Sequence, residues 1–146
     1  MDLTRRDLFQ IGGKLLVMAS AGVTLEQITG AVPAPDAYKM AIELAIRFSQ
    51  GIESVIKEMD LPWIVKRLGC RSEYWFRKTP PRNGGEAFAA ADSELDRYMH
   101  LYSLNRGILM TPFHNMALIA PDTSEADVDY HTRVFREAVT SLFGEE

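Results

Sequence analysis

The sequence predicts an α+β fold: a small antiparallel or mixed sheet of about four short strands packed against three helices, with an additional N-terminal helix. Three observations carry this. Apolar residues recur at helical spacing in two long stretches, 38–56 and 128–142. Short β-branched and aromatic runs at 63–68 and 72–76 meet across Gly69-Cys70-Arg71. The chain has 146 residues, 47% apolar and 25% charged, which suits one compact domain with a modest core. Short strands beside amphipathic helices pack as layers, helices on one face of the sheet.

The elements follow in order. Residues 1–30 form one helix weakened by Gly12, Gly13 and Gly22, each costing about 1 kcal/mol relative to alanine. Gly30, Pro33 and Pro35 then break the chain. They divide it into an N-terminal helical segment, 1–33, and an α+β domain, 34–146. Asp36 can cap the next helix, whose stripe is Tyr38, Ala41, Ile42, Ala45, Phe48, Ile52, Val55 and Ile56; Met59-Asp60-Leu61-Pro62 stops it. Strands at 63–68 and 72–76 follow. The stretch from Arg77 to Glu86 holds two prolines and Gly84-Gly85, and reads as a loop.

A further helix runs from about Ala87 or Asp92 to Arg106. Leu95, Tyr98, Met99, Tyr102 and Leu104 form its buried face, and Gly107 ends it. Ile108-Leu109-Met110 and Met116 to Ile119 read as strands around the loop Thr111-Pro112-Phe113-His114-Asn115. Ser124 and Asp127 form a capping box for the last helix. Its stripe is Val128, His131, Val134, Phe135, Ala138, Val139 and Leu142.

Charge and composition exclude several functions. A net charge of −4 does not suit nucleic acid or an anionic membrane surface. The lone cysteine, Cys70, allows neither an internal disulfide nor a cysteine-based zinc cluster, and favours a reducing compartment. Its turn beside Arg71 offers no base to activate it. The histidines His100, His114 and His131 lack metal-ligand spacing, so no metal site is expected. His100 and His131 lie within helices and read as structural. His114 lies in a loop between strands, where a site residue is better placed. Neither Gly12-Gly13 nor Gly84-Gly85 has the spacing of a phosphate cradle. Arg77, Lys78 and Arg82 read as a solvated basic loop. The residues by themselves give a soluble α+β domain with no visible catalytic apparatus.

The run from Leu101 to Ile119, LYSLNRGILMTPFHNMALI, resembles the C-terminal small domain of class III (fold type I) pyridoxal-phosphate-dependent aminotransferases, in the glutamate-1-semialdehyde aminomutase-like branch. Supporting pieces occur in the family's order: Asp36 to Met40 opening a helix, Leu61-Pro62-Trp63 entering a strand, and Leu68 to Arg71 at a turn. The loop Pro80 to Gly84 follows, then Thr123 to Asp129 opening the last helix. The resemblance covers about residues 34–146. It implies amino-group transfer through pyridoxal phosphate in a homodimer. The large domain of such enzymes supplies the Schiff-base lysine and the aspartate that pairs with the pyridine nitrogen.

None of Lys14, Lys39, Lys57, Lys66 and Lys78 sits in a context like that lysine's. The resemblance therefore implies a truncated small domain that binds no cofactor alone and is inactive without a large cofactor-binding domain. Its expected partners are a large-domain chain or further copies of itself, and no catalytic residue is assigned within it. Thr111, Pro112, Phe113, His114 and Asn115 match the loop that lines the substrate side. In some relatives an arginine there binds the substrate carboxylate, where this chain offers Phe113 and His114. The expected location is cytoplasmic.

Two other readings stand beside this one. One is a non-enzymatic, self-associating interaction protein. The other is a helical protein exported by a twin-arginine signal at Arg5-Arg6, which precedes a mostly apolar stretch. That stretch is short for a membrane span, which needs about 20 residues.

Overall fold

A computed structural model describes residues 35–111 and 114–143. The expected N-terminal helix with its double glycine, the Arg5-Arg6 pair read as an export signal, Lys14, Pro112 and Phe113 lie outside the described residues.

The first described helix, α1 (Pro35–Glu58), includes Pro35, so Asp36 lies inside its first turn instead of capping it; Asp36 there and Lys57 in the last turn both suit the helix dipole. Its buried residues, Ala41, Leu44, Ala45, Phe48, Ile52, Val55 and Ile56, fall three or four apart on one stripe. The helix stops where Asp60 turns left-handed (φ +47°) and Leu61 N–H donates back to the Ile56 carbonyl at 2.9 Å.

A hairpin follows, β1 (Ile64–Leu68) and β2 (Arg71–Trp75), in antiparallel register with Leu68 opposite Arg71. Gly69, at φ +60°, takes the first of the two loop positions, where a type II′ turn places glycine. On the other side of β2 lies β3 (Met116–Leu118), with Glu73 opposite Met116 and Arg71 opposite Leu118. The sheet is thus β1-β2-β3 and wholly antiparallel.

Between β2 and β3 come two helices, α2 (Gly84–Ala89) and α3 (Ser93–Leu104). Asn83 caps α2 by accepting from Glu86 N–H at 2.9 Å, so Gly84-Gly85 open a helix instead of continuing the expected loop. Asp92 accepts from the N–H groups of Glu94 and Leu95. To do so its backbone leaves the helical region (φ −113°, ψ 99°), so that of the two expected starts, Ala87 and Asp92, the structure takes Asp92, and Ala87 belongs to the separate helix α2. Gly107 (φ +79°) and the Ile108 N–H bond to the Ser103 carbonyl at 3.0 Å end α3 as expected. The last helix, α4 (Glu125–Phe143), carries the expected capping box. Asp127 Oδ2 accepts from Ser124 N–H at 2.8 Å and Asp127 N–H donates to Ser124 Oγ at 3.3 Å.

The core lies between α1 and α4 and the inner face of the sheet. Trp63, Tyr74 and Phe135 meet there edge to face, with Tyr74 and Phe135 centroids 5.1 Å apart. The buried Ser72 hydroxyl is satisfied by the Ala45 carbonyl and by Ser49 Oγ. At Gly51 an added Cβ would stand 2.2 Å from Thr132 Oγ1, on α4. Arg47 and Asp129 form a bidentate pair between the same two helices, at 2.7 and 2.8 Å.

Among the described residues three strands are present where about four were expected. Ile108-Leu109-Met110 joins no sheet. Its apolar character has another cause: Met110 packs on the core. Tyr38, Leu104 and Leu142, placed on buried stripes by periodicity, are exposed by 64%, 42% and 37%. Each lies in the first or last turn of its helix, where the sequence period continues after the packing partner has ended.

Candidate functional site

Alternate residues of a strand share a face. Ser72 and Tyr74 of β2 turn toward the helices, so Arg71, Glu73 and Trp75 turn away from them. Over that outer face lies a cavity of about 540 Å³, walled by Phe76, Ala87 and Phe88 and closed by Asp96, His114 and Asn115. β2 supplies its floor, and α2 with the start of α3 supplies its wall.

Glu73 is only 7% exposed and is held from two sides. Arg71 Nη2 donates to its Oε2 at 2.6 Å, and His114 Nδ1 lies 3.4 Å from its Oε1. Asn115 is the second fixed point. Its Nδ2 donates to Asp96 Oδ1 at 2.5 Å, while its carbonyl accepts from Tyr74 N–H at 3.1 Å. The end of the loop is therefore tied to both α3 and β2.

Burial pushes the Asp96 carboxyl above its usual range. The Asn115 donor and the His114 charge oppose that shift, while Asp92 and Glu73 reinforce it. Burial also raises the Tyr74 phenol, with Asp96 adding to the effect. The site thus offers hydrogen-bond acceptors, a desolvated carboxyl and one exposed imidazole.

The loop expected to line a single site is shared between two. His114 and Asn115 border the cavity on β2, whereas Thr111 borders a second cavity of about 360 Å³ with Met110, Ile119, Val128, Tyr130 and His131. His131 is buried between Phe48 (centroids 4.4 Å apart) and Phe135, with Nε2 3.1 Å from Met110 Sδ. Desolvation lowers its pKa to about 4, so it is neutral at pH 7. His100 is half-buried within α3, and Cys70 is half-buried in the hairpin turn. In the basic loop, Arg82 is paired with Glu86 at 2.6 Å and Arg77 donates to Thr79 Oγ1, leaving Lys78 exposed.

Sequence reasoning missed Arg71, Glu73 and Asp96. The alternation Arg71-Glu73-Trp75 places all three on one strand face, a legible signal. Asp96 is indistinguishable in sequence from an acid serving the helix dipole.

Among the described residues no helix is long and apolar enough to cross a membrane, and no group of three or more His, Cys, Asp or Glu could hold a metal ion. Lys39, Lys57, Lys66 and Lys78 are all exposed, and none borders either cavity. The described residues therefore do not fit a Schiff-base site for pyridoxal phosphate.

No protein-family model matches the chain. It is 28% identical over 134 residues to glutamate-1-semialdehyde 2,1-aminomutase 2 of Halalkalibacterium halodurans, covering 90% of this chain and 30% of that protein. Among solved structures, it is similar to a glutamate-1-semialdehyde aminomutase from Pseudomonas aeruginosa PAO1, at 45% identity and a TM-score of 0.73 over 77% of this chain and 25% of that one. A variant of that enzyme in complex with PMP gives 42% identity and a TM-score of 0.75, covering 81% and 26%. The chain spans about a third or less of the length of these relatives. In sequence order and in fold, it resembles the small C-terminal portion of class III aminotransferases of the glutamate-1-semialdehyde aminomutase branch.

Proposed function

We propose that this chain acts as the small domain of a pyridoxal-phosphate-dependent amino-transferring enzyme, with the cofactor held by a large domain and not by the residues described here. The observation that carries this reading is identity above 40% over about four-fifths of the chain to one quarter of an aminomutase. The exposed lysines support it, since none occupies a cavity that could enclose an imine. In this role the chain's own residues bind and orient. His114 and Asn115 face the substrate side, Glu73 orients the His114 imidazole, and Asp96 anchors Asn115. A cytoplasmic location accords with the single free cysteine, and cell fractionation tests it.

The test is complementation. The full chain is mixed with the large domain of the Pseudomonas aeruginosa aminomutase, prepared without its own matching quarter, and amino transfer is measured. Activity in the mixture and in neither component alone is the expected result. A borohydride-reducible lysine adduct and transamination by the chain by itself would sink the proposal, as would a mixture that stays inactive.

A second reading, self-association without catalysis, is favoured by one observation. Leu68 (80% exposed) and Leu118 (62%) stand on either side of Arg71 in the sheet register. Sedimentation that stays monomeric at high concentration removes it.

A further inference from the structure

The cavity over the outer face of β2 has a charge balance that packing does not require. Glu73 and Asp96 both border it. Arg71 is the one permanently charged cation among its lining residues, and its guanidinium is already engaged by Glu73 at 2.6 Å. His114 adds charge only when protonated. Among the described lining residues, an incoming carboxylate would meet the unpaired charge of Asp96, a Glu73 already paired with Arg71, and no free permanent cation.

The wall is equally informative. α2 buries none of its residues, and Phe88 stays 85% exposed although it borders the cavity. Trp75 and Phe76 supply further aromatic surface. The helix adds nothing to the core, and its Phe88 borders the same cavity as Glu73 and Asp96. Aromatic faces attract cations, and carboxylates accept charge-assisted hydrogen bonds from ammonium. Together they form the surroundings an alkylammonium prefers to water.

We propose that this cavity binds a primary alkylammonium group, and so takes an amine-bearing end of the substrate in preference to a carboxylate-bearing end. The assignment deepens, and rests on, the reading of this face as the substrate side. The burial that holds the Asp96 carboxyl above its usual range is the cost a bound cation would relieve.

The experiment uses the full chain, isotope-labelled, in an NMR titration. The probes are cadaverine and glutarate, a diamine and a dicarboxylate of equal carbon count, at matched ionic strength. Cadaverine should saturably shift the Trp75 indole N–H and the backbone amides of Glu73 and Asn115, and glutarate should not. Glu73→Gln and Asp96→Asn should each weaken the cadaverine response by about tenfold, the scale of one charge-assisted partner. Asp96→Asn keeps the acceptor for Asn115, so its result does not depend on Glu73→Gln folding. Equal shifts with glutarate, no saturable shift with either probe, or full cadaverine affinity in the variants would each overturn the assignment. The titration needs neither cofactor nor large domain. Failed complementation beside a positive titration therefore removes only the small-domain reading, and the reverse pattern removes only the ammonium site.

Discussion

His131 shows how far burial can move a single residue from its chemistry in water. Its ring lies between Phe48 and Phe135 with no charged partner, and desolvation brings its pKa to about 4. The unfolded chain binds a proton at about pH 6.5, and the folded chain resists it. The associated stability is therefore fully present above pH 6.5 and is lost as pH falls toward 4. The loss over that window is on the order of 3 kcal/mol. Urea melts at pH 7.5 and 4.5 should show it, and His131→Leu should flatten the difference. An unchanged slope in that variant would assign the effect to other groups. Asp96 behaves in the opposite sense. Its raised pKa means that the charged form costs stability at neutral pH. Asp96→Asn should raise the thermal midpoint at pH 7, by an increment that shrinks as pH falls through the carboxyl range. A midpoint lowered at pH 7 would count against the desolvation account.

At the level of elements, the α1–α4 contact is the most sensitive to a single atom. A methyl group at Gly51 would overlap Thr132 Oγ1, so Gly51→Ala should destabilise by about 1–3 kcal/mol although alanine favours helix. Adding Thr132→Ala should recover part of the loss, as chemical denaturation of the single and double variants will show. Ser124→Ala should cost about 1 kcal/mol by removing the hydroxyl that faces Asp127 N–H and Oδ2. Periodicity made these helices legible, and Ser124-Asp127 announced the start of α4. The division between α2 and α3 was less visible. Asp92 can sit in an exposed helix or cap a new one, and only the path of the chain around the cavity decides between them.

Across the whole molecule, the sheet has helices on its inner side, while Leu68 and Leu118 are exposed beside Arg71 on its outer face. In the small-domain reading this face meets a large domain. Leu118→Glu should then leave the thermal midpoint nearly unchanged, since a 62%-exposed side chain contributes little to the fold, while reducing complementation. Equal complementation by the variant would place the contact elsewhere. The same substitution, followed by sedimentation at rising concentration, reports whether that face also drives self-association.

The sequence by itself determined the layer architecture, the hairpin at Gly69, the Ser124-Asp127 capping box and the family likeness. These depend on patterns within about twenty consecutive residues, where periodicity and turn chemistry act. It also singled out the loop at Thr111 to Asn115, whose two ends prove to border different cavities. Only the tertiary structure decided the composition of the site. Glu73 and His114 are forty-one positions apart, and Asp96 and Asn115, nineteen apart, lie in different elements, so no helical or strand period links them. They meet because β3 returns antiparallel along β2 while Asp96, near the start of α3, reaches Asn115 at the entry to β3. Burial then gives Asp96 and His131 proton affinities that no local sequence window contains.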